Sequence, residues 1–169
     1  MTTNSPLIIR SAVATDAECV SQLIGSVANR CTISPTGDGA EMFYSSISPQ
    51  AIDCYIADAN FLYLVGLLNG KLAGVVAVRD ARHLFHLFVA PTCQYQGIGT
   101  VLALRAIELS QAASPSEIFT VNASLPSVPF YVRLGFQPQG SGIEANGVAF
   151  IPMQLATADL DYALPQPWL

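Results

Sequence analysis

Charge is scarce in this chain. Charged residues make up 11% of its 169 residues, against roughly 25% in a typical soluble domain. Lys71 is the only lysine, and the net charge is −5. No basic stripe is available to neutralise a phosphate backbone, which argues against nucleic acid as a partner. The weakly charged surface leaves apolar area that a second copy could cover, so a homodimer is admitted. Long apolar runs are also missing. The longest, over 61–68, is far too short to span a bilayer. Residues 1–6 have neither the basic stretch nor the apolar core of a signal peptide. Both readings place the protein in the cytoplasm, away from membranes. Close cysteine pairs are absent too: Cys19, Cys31, Cys54 and Cys93 stand apart. Neither a zinc cluster nor a redox pair is expected, and no metal is called for. The thiols read as packing residues.

What is present suits one compact domain over 1–169. Hydrophobic residues make up 51%, enough for a sizeable core. An acidic protein of this kind would draw a cationic amine weakly.

A first strand is expected over 7–13. Thr15-Asp16-Ala17-Glu18 is a capping-box pattern, opening a helix with Val20, Leu23, Ile24 and Val27 on one face. A loop follows over 31–39, then a short helix over 40–46 and another starting at Ser48-Pro49. The β-rich runs 61–68 and 71–78 meet at Asn69-Gly70, a strong hairpin signal. Another strand is expected over 83–89, completing a meander. After Gly97 a helix with one apolar face begins. Then come a strand over 118–121, a helix over 125–134 and a cap glycine at Gly135. The last hairpin is read from Phe136 through Gly140 to a strand over 148–153, and the tail 164–169 as extended. Pro129 is awkward in this scheme, because it falls inside a helix.

The most informative stretch runs from the strand 84–89 into Gln94-Tyr95-Gln96-Gly97-Ile98-Gly99-Thr100. Helix N-termini expose backbone N–H groups and attract anions. Glycines there let those amides approach a phosphate. A plain tight turn with a helix cap would show the same glycine pair. The spacing excludes other phosphate sites. Gly99 is followed by Thr100 and Val101, with no lysine for a Walker A loop. Leu102 stands where a dinucleotide fingerprint wants its third glycine.

Gln94-x-x-Gly97-x-Gly99, preceded by Val89-x-Pro91, resembles motif A of the GNAT superfamily. Asn122-Ala-Ser124 and the later Phe130-Tyr131-x-Arg133-Leu134-Gly135-Phe136 resemble its motif B. The two occur in the right order, and the element order over 7–153 fits that fold. The resemblance implies an α+β domain: a mostly antiparallel, twisted sheet of about seven strands, splayed between the fourth and fifth, with about four flanking helices. It implies an acetyl-CoA-dependent N-acetyltransferase in which an amine attacks the thioester directly within a ternary complex. Pantetheine would pair with the backbone of Leu87, Phe88 and Val89, a form of strand addition. The N–H of Phe88 would face the thioester carbonyl. Pyrophosphate would sit on the amides of Tyr95, Gln96, Gly97, Ile98, Gly99 and Thr100. Tyr95 and Gln96 depart from the family, which often places a basic residue there. Asn122 and Ser124 would contact CoA, although Ser124 could equally be a helix N-cap. Arg133 would approach the 3′-phosphate.

Tyr131 falls at the family's general-acid position. A phenol with a pKa near ~10 can protonate a departing thiolate at neutral pH. A packed aromatic beside Phe130 and Phe136 would leave the same pattern. His83 and His86 are the candidate bases; their odd spacing puts them on opposite faces of a regular strand, which a β-bulge would change. A non-catalytic acyl-CoA-binding regulatory module is the rival reading; it would not need Tyr131.

Overall fold

A computed structural model describes residues 6–160. The tail over 164–169 lies outside the described residues. One mixed sheet runs in the order β1-β2-β3-β4-β5-β8-β6, with β7 also on β8. Strand β1 (Ile8–Ser11) lies antiparallel to β2 (Phe61–Leu68), and between them come α1 (Ala17–Val27), α2 (Glu41–Ser46) and α3 (Pro49–Ala57). Strands β2, β3 (Lys71–Arg79) and β4 (His83–Val89) form the expected meander. Helix α4 (Ile98–Ala113) carries the chain over to β5 (Ile118–Ser124), which lies parallel to β4. Helix α5 (Val128–Arg133) follows, then β6 (Gln137–Pro138), β7 (Ile143–Ala145) and β8 (Val148–Ala156).

Strand alternation divides the core between the two faces of the sheet. Leu64, Val76 and Val78 pack with Leu102, Ala106 and Ile107 of α4. Tyr63, Val65, Val75 and Ala77 face the other way, onto Val20 and Ile24 of α1 and Ile52 of α3.

Several local expectations need correction. Helix α1 is not capped by Thr15. The Asp16 carboxylate accepts from the Val13 N–H at 2.8 Å and is held bidentately by Arg10 at 2.8 and 2.9 Å. Glu18 accepts instead from Gln22, one turn on, at 2.9 Å. Residues 125–127 form a 3₁₀ turn, so α5 starts only at Val128 and Pro129 sits in its first turn. No intrahelical bond is expected of that position, and proline is tolerated there. Strand β5 runs on to Ser124. Among the described residues the sheet has eight strands, because Asn146-Gly147 makes a second tight turn, with φ of 50° and 75°, between β7 and β8.

The two histidines share a face. The register between β3 and β4 shifts between Ala77 and Val78, leaving one extra residue in β4. Phe85 and His86 therefore point the same way, with rings stacked 4.3 Å apart. Leu84 packs on the α4 side, so its neighbour His83 points to the α1 side with them.

Candidate active site

Strands β4 and β5 pair only at His83↔Thr120 and Leu84↔Val121. Beyond that point they part, and a cavity of about 670 Å³ opens between them. Leu87, Phe88 and Val89 form one wall; Val121, Asn122 and Ser124 form the other. The turn residues Gln94, Tyr95 and Gly97, with Ile98, Gly99 and Thr100 of α4, line one end, and Phe130, Tyr131 and Arg133 line the side of α5.

The freed backbone is not that of Phe88. Ala90 donates to the Ala73 carbonyl at 2.8 Å, and antiparallel alternation then turns Phe88 toward β3 as well. Leu87 and Val89 face the splay. The Val89 carbonyl accepts from Gln94 Nε2 at 3.1 Å. Leu87 thus carries the unpaired strand N–H deepest in the gap.

Helix α4 is preceded by its N-cap Gly97, whose φ of 81° only glycine adopts easily. No side chain caps it. The amides of Ile98, Gly99 and Thr100 are the first of the helix and find no carbonyl one turn back. They are the natural anion cradle of the cavity. Gln96 does not line the cavity; its amide bonds the Thr92 carbonyl at 3.2 Å. The Tyr95 side chain is 98% exposed. Ser124 donates to the Ser127 hydroxyl at 2.9 Å rather than capping α5.

Tyr131 is buried at 6% exposure, edge-on to Phe130 and Phe136 at 5.1 and 5.5 Å. Burial, and secondarily nearby Cys31, push its phenol above the usual range. It therefore stays protonated at neutral pH and well above.

Neither histidine lines the cavity. His83 is half-buried where the strands still pair, with Nδ1 2.7 Å from Thr120 Oγ1. Burial first, then the Arg79 charge, lowers its pKa. His86 is sealed against the aromatic cluster, with Nδ1 2.9 Å from the Tyr63 hydroxyl. Burial takes its pKa from 6.5 down to about 3. This depressed value has a stability consequence. Between those values the unfolded chain binds a proton that the folded protein refuses, so stability falls as pH falls. Going from pH 7 to pH 5 should cost roughly 2 kcal/mol through His86, and His83 acts in the same direction. Urea unfolding at the two pH values measures it. A stability unchanged over that interval would show that folded His86 accepts a proton.

Among the lining residues that sequence reasoning did not assign to the site are Arg30, Cys31 and Phe85. Cys31 reaches the cavity because residues 31–33 strap onto the start of β8. Ile33 donates to the Gly147 carbonyl at 2.9 Å, and Ala149 to the Cys31 carbonyl at 3.2 Å. Among the described residues, no group of three or more His, Cys, Asp or Glu is placed to hold a metal.

A family model described as an acetyltransferase (GNAT) domain matches residues 31–157. The chain belongs to the GNAT acetyltransferase family. It is thus an acyltransferase, and its parallel β4–β5 pair with a splay is the GNAT sheet. No curated protein matches the chain in sequence. Solved GNAT structures match its fold. A GCN5-related N-acetyltransferase from Rhodopseudomonas palustris superposes with a TM-score of 0.74 at 19% identity, over 92% of this chain and 98% of that one. The PaiA N-acetyltransferase of Thermoplasma acidophilum, solved in complex with coenzyme A, gives 0.74 at 15% identity, over 89% and 99%. The spermidine/spermine N-acetyltransferase SpeG of Vibrio cholerae gives 0.65 at 16%, over 92% and 96%. Among the described residues of this GNAT protein, no helix is long and apolar enough to cross a membrane.

Proposed function

We propose that this GNAT protein transfers an acetyl group from acetyl-CoA to a primary amine of a small molecule or peptide, by direct attack in a ternary complex. The observation that carries the reading is the cavity itself. It joins a freed β4 backbone, the uncapped N-terminus of α4 and a buried, protonated phenol. Pantetheine would add to β4 at Leu87 and Val89, with its pyrophosphate on the amides of Ile98, Gly99 and Thr100. That run leads the thioester toward the Leu87 N–H, which would polarise its carbonyl. Asn122 lies exposed on the opposite wall, within the same cavity. Arg133 would meet the 3′-phosphate.

An amine must shed its proton before it attacks. Of the two histidines, His83 keeps solvent contact and is neutral, so it can take that proton through water. His86 is enclosed and serves the core instead. Tyr131 would protonate the departing CoA thiolate. The reading includes action in the cytoplasm, with which four free thiols agree.

The direct test is to mix the protein, acetyl-CoA and a panel of amines and to follow release of free CoA thiol. An acetylated amine and stoichiometric thiol are expected. Acetyl-CoA binding without turnover on any amine would favour the regulatory module. The phosphate placement has its own check. A Cβ on Gly99 would meet only the side chains of Phe130 and Val89, at 3.4–3.6 Å, so the fold accepts it. The further methyls of Gly99→Val would enter the space beside the first amides of α4. Acetyl-CoA should then bind roughly tenfold more weakly, as read by calorimetry. Unchanged affinity would move the phosphates elsewhere.

A further inference from the structure

The glycine turn of this chain has no cation of its own, because Tyr95 and Gln96 occupy the positions before Gly97. The structure brings one from another element. Arg30 follows α1, 64 residues before Gln94, and its Nη1 donates to Gln94 Oε1 at 2.9 Å. Gln94 is itself fixed to the Val89 carbonyl. The guanidinium is thereby docked on the first residue of the turn, at the lip of the cavity. We propose that Arg30 binds the pyrophosphate of CoA, replacing from the turn after α1 the charge that the glycine turn lacks. This rests on the acetyl-CoA reading above.

Three further observations support the assignment. First, the ion pairs among the described residues engage Arg10, Arg79 and Arg105, not Arg30. Second, a guanidinium has five donors in a fixed fork; one goes to Gln94, and the rest remain for phosphate oxygens, which arginine holds bidentately. Third, among the described residues the only charged side chains lining the cavity are Arg30 and Arg133. In a chain with 12 acidic and 7 basic residues, this local excess of positive charge marks an anion site. Arg30 comes from the α1 side and Arg133 from α5, so the two flank the helix terminus.

The test uses Arg30→Gln, which keeps a polar side chain but carries no charge. Affinity is measured for acetyl-CoA, for its 3′-dephospho form and for S-acetylpantetheine, which has no pyrophosphate. Arg30→Gln should weaken the first two alike, by roughly tenfold, and leave the third unchanged. Arg30→Lys should recover part of the loss. Wild-type affinity of Arg30→Gln for acetyl-CoA would overturn the proposal. Loss confined to the 3′-phosphorylated compound would place Arg30 at that phosphate instead, and equal loss for S-acetylpantetheine would mean a structural role. Failure of the acetyl-CoA reading is distinct, because the wild-type protein would then not bind acetyl-CoA.

Discussion

Replacing Tyr131 by phenylalanine should lower kcat by at least about tenfold, with acetyl-CoA affinity kept within about threefold. The change removes one oxygen and leaves the ring. The edge-on contacts of that ring with Phe130 and Phe136 persist, so stability should hardly move. On the proposed mechanism, what is lost is the proton for the leaving thiolate. General acids typically contribute about 100- to 10,000-fold, and water admitted to the cavity can replace part of that. The raised pKa of this phenol makes a second, independent statement. An ordinary phenol would begin to ionise near pH ~10, and an acid that ionises ends the reaction. Here burial favours the neutral form, so kcat should show no alkaline fall from Tyr131 even as pH passes that point. Full activity of Tyr131→Phe on the true amine, with chemistry rate-limiting, would remove the acid role. Joint loss of binding and of stability would mark Tyr131 as core packing.

The parts of the site that were legible in the sequence are local ones. A strand, a glycine turn and the first residues of a helix lie within 17 residues, from His83 to Gly99; helix-terminus physics admits an anion there, and the resemblance to motif A selects that reading over a plain turn. The Asn69-Gly70 hairpin was legible for the same reason. The misreadings share a cause. The side on which His86 points depends on one extra residue in β4, and such a bulge leaves no mark on polarity. Phe88 rather than Leu87 was expected to offer its N–H to the splay. Which of the two does so is set by the phase of the β3–β4 ladder, which begins with the Ala90–Ala73 bond. Arg30 could not be read at all, since its partner is 64 residues away and it lies in a region that looks like a helix end. Asn146-Gly147 carried the same signal as Asn69-Gly70. It was passed over because its flank 143–145 is short and fully exposed, so no apolar alternation announces a strand.

Net charge misleads here for a related reason. A total of −5 suggests a surface that welcomes cations. The cavity shows the opposite sign, because among the described residues no acidic side chain lines it and two arginines do. Local placement, not the sum, decides what a cleft attracts.

The paired Asn-Gly turns also isolate the element that builds the cavity's α1-side wall. Gly70 and Gly147 have nearly the same backbone, with φ of 74° and 75°. A Cβ on Gly70 would meet nothing within 4 Å. On Gly147 it would collide with the backbone of Gly39 and Ala40, its nearest contact being the Gly39 carbonyl. Gly70→Ala should therefore cost only the strain of a left-handed alanine, about 1 kcal/mol. Gly147→Ala adds overpacking against main chain, which cannot rotate away, and should cost about 3 to 4 kcal/mol. Urea unfolding of the two variants gives the difference, from which the shared φ strain cancels. The clash falls on the same β7–β8 turn whose carbonyl holds Ile33, and hence the strap that brings Cys31 to the cavity. If the strap is part of the acetyl-CoA site, Gly147→Ala should also weaken acetyl-CoA binding while still folded, and Gly70→Ala should not. Equal stability of the two variants would mean that residues 39–40 yield, and that the β7–β8 turn does not brace the wall.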